Sequence, residues 1–269
     1  MDGLRLVRRR VSGVPPEWEY LPDGWATKED KIEGWHDSSI AETQKAKWEE
    51  FLRITRGTGP LGISFEAPSL EREDYYAHHV LMAYGYVLAL AARKKDRISI
   101  LDWGGGIGHY YIFSRALLPE LYIDYCCKDH PLVCEAGRKV LPDARFVERE
   151  RDVVDQRYDL VLASGVLPYS EDWRWVARLL VSVSAPYLYV TRSPFVHHRE
   201  SFVAVQRAYA YGYDTEFMGW VINREEFLAY MTSLDVDLVR EFVLDEHPAI
   251  RHIDERVDIR GFLFRRKSL

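Results

Sequence analysis

Apolar positions along this chain change their period twice. Ala41, Trp48, Phe51, Leu52 and Thr55 recur at helical spacing, which predicts a helix over residues 40–54. Ser39 followed by Glu42 has the spacing of a capping box at its start, and Gly57-Thr58-Gly59-Pro60 ends it. A second helix is predicted over residues 74–93, apolar nearly all round and therefore expected to be buried. From there short β-rich runs alternate with segments long enough for helices. The runs 98–102, 121–127, 145–148, 158–164 and 187–191 are mostly apolar, as strands covered on both faces must be. The alternation predicts an α/β architecture, a Rossmann-like, doubly wound, mainly parallel sheet. In such sheets a ligand sits beyond the carboxyl ends of the strands where the strand order reverses, which puts residues 102–109 at a site.

After the fifth run the pattern is lost. Residues 195–220 read as irregular and aromatic, a candidate lid over a substrate, followed by a helix capped by Asn223 with Glu226 three positions on. Runs 237–244 and 261–265 read as a terminal hairpin at one sheet edge. Four of the eight tryptophans (Trp18, Trp25, Trp35 and Trp48) precede the second helix. The expected organisation is an N-terminal tryptophan-rich helical cap over 1–72 and a Rossmann-like domain over 73–269, with the lid at 195–222.

Composition narrows the partners. A net charge of -6 over 269 residues argues against a phosphate-tracking surface, so nucleic acid is not expected and a small molecule is. The longest apolar run, 80–92, is shorter than the roughly 20 residues that span a bilayer, and it ends in Arg93-Lys94-Lys95, so no membrane partner is expected. The basic run Arg8-Arg9-Arg10 is followed by too little apolar sequence for a secretion signal. Cys126, Cys127 and Cys134 are three thiols within nine positions, which is no disulfide framework and fits a reducing cytoplasm. Cys127, His130 and Cys134 have soft-ligand chemistry, but no second ligand pair accompanies them, and no metal is expected. Oligomeric state stays open, with a homodimer among the options.

The central motif is Asp102-Trp103-Gly104-Gly105-Gly106-Ile107-Gly108-His109, a strand running through glycines into Tyr110-Tyr111-Ile112-Phe113 at a helix start. Glycine lets a ligand approach the main chain, and a helix N-terminus favours anionic groups. A dinucleotide G-x-G-x-x-G starting at Gly104 would need glycine where His109 stands, and a phosphate-binding P-loop needs a Gly-Lys pair that the chain lacks. The pattern D-x-G-x-G-x-G resembles the first motif of class I S-adenosylmethionine (SAM) methyltransferases. A nucleoside also calls for a carboxylate at the end of the second strand to accept from the ribose hydroxyls. Asp129, beside His130, stands there, with capping of the helix starting near Pro131 as the alternative reading. Asp102 either serves the ligand or ties the loop amides together. Glu148 or a neighbour is a candidate for the adenine amino group, or else a solvated loop charge. Ser164, Gly165 and Tyr169, at the end of the fourth strand, are candidates for the reacting end, although Ser164-Gly165 also reads as a turn.

A wider set of matches includes Gly34-Trp35, Ser39-Ile40-Ala41-Glu42, Gly59-Pro60-Leu61-Gly62-Ile63 with Glu66-Ala67, His78, Tyr86-Val87-Leu88-Ala89, Glu135-Ala136-Gly137, Leu162-Ala163-Ser164-Gly165, and Arg192 with Pro194-Phe195. Together they resemble a family of SAM-dependent methyltransferases of bacterial polysaccharide and natural-product biosynthesis clusters. The resemblance implies a Rossmann-like fold, SAM as cofactor, and a cofactor site at Asp102, Trp103, Gly104, Gly105, Gly106, Gly108, Asp129, His130, Glu148, Ser164 and Gly165. One departure is His78-His79, where the family shows His-Asn.

Methyl transfer from a sulfonium needs an in-line nucleophile held close, and a hydroxyl nucleophile also needs a base. His78, His109, His197 and His198 are the histidine candidates, His78 first by the resemblance and His198 second by its place in the lid, with Tyr169 beside them. Arg192 suits an anionic group of the acceptor or an ion pair with a nearby carboxylate. Trp220 belongs to the aromatic set with Phe195, Phe202, Tyr209, Tyr211, Tyr213 and Phe217 that would exclude water or fill the core. The expected function is O-methylation of a sugar or natural-product hydroxyl. N- or C-methylation, a non-methylating cyclisation and a catalytically silent binding module are the alternatives.

Overall fold

The computed structural model describes residues 15–27, 32–64, 70 and 73–267; the basic run at Arg8 and the Glu66-Ala67 pair lie outside the described residues. In chain order the elements are β1 (Trp18–Tyr20), α1 (Ser38–Ala46), α2 (Trp48–Thr55), α3 (Tyr75–Ala91), β2 (Arg97–Trp103), α4 (His109–Leu117), β3 (Tyr122–Lys128), α5 (Pro131–Val140), β4 (Arg145–Val147) and β5 (Tyr158–Ser164). They continue with α6 (Trp173–Val183), β6 (Ser184–Val196), β7 (Phe202–Arg207), β8 (Glu216–Asn223), α7 (Arg224–Thr232), β9 (Val236–Leu244), β10 (Ile250–Arg251) and β11 (Asp258–Arg266).

The main sheet runs β4-β3-β2-β5-β6-β11-β9, parallel from β4 to β6, with β11 antiparallel to both neighbours. Side chains alternate across it as strand geometry requires. Ile98, Ile100, Leu160 and Leu162 pack with α2 to α5, while Leu101, Val161, Ala163 and Phe262 pack with α6 and α7. Each such apolar side chain taken fully from water contributes roughly 1.5–3 kcal/mol, which is why the five parallel strands read as continuous apolar runs. Strand order reverses between β2 and β5, so the carboxyl ends of β2, β3 and β5 open on one crevice.

Several expectations need correction. The helix over 40–54 is two helices, α1 and α2, meeting at Lys47. The break lets Gln44 reach the glycine loop while Trp48 and Phe51 pack on His109. Its cap is Asp37, which accepts from the Ser39 amide at 2.7 Å, and the Ser39 hydroxyl instead accepts from the Asp214 amide at 3.0 Å. α3 is buried on one side only, with Tyr75, Met82 and Tyr86 exposed on the other. The terminal hairpin forms, but β11 sits inside the sheet beside β6, and β9 makes the edge.

The aromatic stretch after the fifth run is regular. β7 and β8 pair antiparallel, and β1 and β10 extend them into a smaller sheet in the order β10-β1-β7-β8. It joins the main sheet where β8 pairs with the far end of β6, Phe195 opposite Ile222. The N-terminal segment therefore supplies a strand as well as helices.

Candidate active site

After β2 the chain continues its ladder for one bond, the Gly104 amide donating to the Lys128 carbonyl at 2.8 Å, and then turns. Gly104 (φ +72°) and Gly106 (φ +61°) are in the left-handed region that L-residues avoid. The turn is also packed against the protein itself. A Cβ would come within 2.4 Å of Val166 at Gly104, 2.4 Å of the Asp102 carboxylate at Gly105, and 2.8 Å of Gln44 at Gly106. The sequence assigned these glycines to close approach of a ligand; the Cβ positions are filled first by the protein's own side chains.

Beyond this turn lies a cavity of about 360 Å³. Gly104, Gly105 and Gly106 line its middle, Lys128, Asp129, His130 and Glu150 the β3 and β4 end, and Ser164, Gly165, Tyr169 and Arg192 the β5 and β6 end. Trp35, Ile40 and Gln44 reach it from the N-terminal segment. Asp129 Oδ2 accepts from the Gly106 amide at 2.8 Å and Oδ1 from the His130 amide at 2.7 Å, so the carboxylate is oriented by backbone alone. Burial raises its pKa to about 6, opposed by those two amides and by Lys128. His130 is the residue before α5 and its ring meets His36 at 4.3 Å; burial, then His36 and Lys128, lower its pKa to about 4. Lys128 lies over the Trp103 ring and 3.0 Å from Glu150. Gln44 Oε1 accepts from the Ile107 amide at 3.2 Å, so the N-terminal segment holds the start of α4. At the other end the Ser164 and Tyr110 hydroxyls are 2.8 Å apart.

Arg192 is aimed by a bulge. β6 pairs with β5 up to Thr191 and with β8 from Phe195, and the β11 register slips between Arg260 and Phe262, so Thr191 and Arg192 together face Gly261. Arg192 has φ +56°, an uncommon conformation for a side-chain-bearing residue. A Cβ at Gly261 would sit 2.7 Å from Thr191 Oγ1, so only glycine fits opposite the bulge.

Of the residues proposed from sequence, Trp103, Gly104, Gly105, Gly106, Asp129, His130, Ser164, Gly165, Tyr169 and Arg192 line the cavity. Six do not. Asp102 is fully buried beneath the turn, where Tyr125 donates to it instead of the loop amides; burial lifts its pKa to about 7. Gly108 caps α4 and packs on Leu141 and Phe146. Glu148 is drawn outward to Arg138 at 2.6 Å, and Glu150, two residues on, takes the place at the cavity. His78 is two residues from Tyr76, about 200° around α3, and faces away. The His198 amide, two residues beyond the end of β6, donates to Glu255 at 2.9 Å, and Trp220 packs on Trp25 and donates to the Glu171 carbonyl at 2.9 Å. Of the other histidines, His109 is buried among Trp48 and Phe51 with its pKa lowered by burial to about 3, and His197 pairs with Asp258 at 3.0 Å.

The sequence reading missed Trp35, Gln44, Lys128, Glu150 and Tyr110. Gln44 had a signal: it is a polar residue four positions from Ile40 on the apolar face of a predicted helix. Among the described residues no group of His, Cys, Asp or Glu is placed to hold a metal, and no helix is long and apolar enough to cross a membrane. The Cys127 and Cys134 thiols donate to the Gly106, Asp129 and Val147 carbonyls.

No family model and no curated protein matches the sequence. Solved structures do match. Magnesium protoporphyrin IX methyltransferase (ChlM) from Synechocystis PCC 6803, with bound S-adenosylhomocysteine (SAH), has a TM-score of 0.50 at 12% identity, over 86% of this chain and 100% of that one. The N-terminal domain of EvdMO1 with SAH bound has a TM-score of 0.49 at 14% identity, over 82% and 97%. The 1,6-didemethyltoxoflavin-N1-methyltransferase of Burkholderia thailandensis has 0.48 at 11%, over 90% and 94%. The chain has the Rossmann-like fold of SAM-dependent methyltransferases.

Proposed function

We propose that this protein is a SAM-dependent methyltransferase that methylates a hydroxyl group of a small molecule, a sugar or natural product. The observation that carries the reading is the Asp129 carboxylate, held by two backbone amides at the edge of a cavity whose middle is side-chain-free turn. The donor set fits the cofactor. Asp129 offers acceptor lone pairs to vicinal ribose hydroxyls, and Glu150 is a second carboxylate at the adenine end. Trp35 and Tyr169 put aromatic faces at the opposite end, where a sulfonium would lie.

When bound, SAM supplies an activated methyl group. The chain's own contribution is placement, because holding two reactants in near-attack geometry removes most of the entropic barrier. Gln44 fixes the start of α4, Gly165 and Arg192 shape the reacting end, and the aromatic side chains there exclude water. Three buried thiols without disulfides fit a cytoplasmic enzyme.

Titration calorimetry with SAH tests the reading directly. Micromolar binding that weakens about 30-fold in Asp129→Ala supports it; no heat with the wild-type protein would refute it.

A further inference from the structure

α3 and its C-terminal cap carry no Asp, Glu, Lys or Arg from Tyr75 to Ala92, a composition that belongs to a helix buried on every side. The fold buries only the side that bears Val80, Leu81, Tyr84, Val87 and Leu88. On the other side Tyr75, His79, Met82, Tyr86 and Ala89 are exposed at alternating steps of four and three residues, one continuous seam about 21 Å long. Tyr75 is 85% exposed, Met82 41% and Tyr86 47%. The half-buried Phe242 of β9 lies 6.0 Å from the Tyr86 ring and widens the seam toward the sheet edge. Charge stands at the two ends of the seam, with Glu73 and Asp74 before it and Arg93 and Lys94 after it. Asp74 caps the helix by accepting from the Ala77 amide at 2.9 Å, and among the described residues Glu73, Arg93 and Lys94 have no ion pair.

We infer that this face joins a second copy of the chain, α3 packing antiparallel on α3 about a two-fold axis beside residue 84. Alternating steps of four and three are the spacing of two helices that cross at about 20°. In this register Met82 meets Tyr86 of the partner subunit, a thioether on a ring, and Tyr75 meets Arg93 of the partner subunit, a ring under a guanidinium. The two-fold repeats each contact. The ends of the seam decide both the direction and the occupant. Antiparallel pairing brings Glu73 and Asp74 of each copy to the basic end of the other, and the opposed helix dipoles add to the attraction. Parallel pairing would set acid on acid and base on base. An anionic bilayer would draw in Arg93 and Lys94 but repel Glu73 and Asp74, so a seam with unlike charges at its two ends fits itself better than a lipid surface. On the inner side of the same helix, Tyr76 lines a second, smaller cavity that shares Trp35 and Tyr169 with the main one, so the interface braces a helix that forms part of that wall.

Sedimentation velocity on the full chain at micromolar concentration tests the interface. The wild-type protein should sediment as a dimer. Tyr86→Lys buries two like charges in the middle of the seam and should weaken the dimer about 100-fold, whereas Glu73→Lys, at its rim, should weaken it about tenfold. The double substitution Arg93→Glu with Lys94→Glu should weaken it as much as Glu73→Lys does. An equimolar mixture of those two rim variants should dimerise as tightly as wild type, because unlike ends then meet at both contacts. All of these positions are exposed, and a far-ultraviolet circular dichroism spectrum matching wild type verifies that each variant folds. A wild-type monomer overturns the inference, as does a dimer that Tyr86→Lys leaves intact or a mixture that stays monomeric. Binding of a monomer to vesicles of phosphatidylcholine and phosphatidylserine, lost in Tyr86→Lys, would also overturn it and give the face to a bilayer. None of these readouts involves the crevice, so they stand whether or not SAH binds there.

Discussion

The two ends of the crevice are built in different ways. The nucleoside end comes from contiguous sequence: β2, the glycine turn and α4, then β3 with Asp129 immediately after it, each side chain placed by its neighbours in the chain. The other end, shared with a second, aromatic-walled cavity, is assembled from distant pieces. Trp35 comes from the N-terminal segment, Tyr76 from the start of α3, Arg192 from a bulge in β6, Tyr213 and Phe217 from around the start of β8, and Glu246 from the loop after β9. A turn whose amides are held by Lys128, Asp129 and Gln44 tolerates few changes, whereas a wall made of several separate segments can change one side chain at a time. The contrast teaches that this architecture separates an end built locally, where each change disturbs its neighbours, from an end assembled across the chain, where side chains can change singly.

The largest effect should come from breaking the turn. Gly104→Ala puts a Cβ within 2.4 Å of Val166 and asks a side-chain-bearing residue to hold φ +72°. SAH affinity should fall about 100-fold, with stability lowered by about 2–4 kcal/mol in a denaturant titration. Adding Val166→Ala should return only part of the loss due to the clash, because the Cβ at 166 itself stands 2.8 Å away. Full recovery would mean that the left-handed conformation is not required. Asp129→Ala comes next. It removes a charged acceptor from two backbone amides and from the ribose, and should weaken SAH binding about 30-fold in calorimetry while the thermal transition moves little.

The same contrast explains how much could be read from sequence. The five parallel strands, the glycine turn and Asp129 were legible because periodicity and short spacing report local structure. Glu148 was misplaced by two residues because β4 ends at Val147 and the following turn swings Glu150, not Glu148, toward Lys128. His78 was misplaced because a helix presents only part of its circumference, and Tyr76 occupies the part that faces the second cavity. The stretch after β6 read as irregular because β7 and β8 are both largely buried and lack the polar–apolar alternation of a half-exposed strand, and β1, which covers the other edge of β7, lies far away in the chain. Glu246 gave no signal at all: it is an isolated acid in a loop, and it reaches the second cavity only because β11 holds that loop through the Ile259 amide.

Gln44 lies between the two cases, a distant residue that serves the nucleoside end. Gln44→Ala leaves the buried Ile107 amide without its acceptor, an expense of about 1–3 kcal/mol shared between stability and binding. SAH affinity should drop about fivefold. If it stays unchanged, the N-terminal segment is a cover and not part of the grip, and the nucleoside end is wholly local.

The smallest effect is set by protons. Ribose hydroxyls that donate to Asp129 favour its ionised form, so binding pulls its pKa down from about 6. Affinity for SAH should be flat above that pH, about twofold weaker at it, and should continue to fall below it until the pKa of the complex is reached. His130 does not add to the slope in this window, because its pKa is already lowered to about 4 and it stays neutral. Asp129→Asn keeps an acceptor oxygen but removes the titration, so its affinity should be lower at neutral pH and independent of pH between about 5 and 7. Measuring both proteins by calorimetry across that range decides the point: a slope that survives in Asp129→Asn would assign the proton to Asp102, whose carboxyl lies buried beneath the same turn.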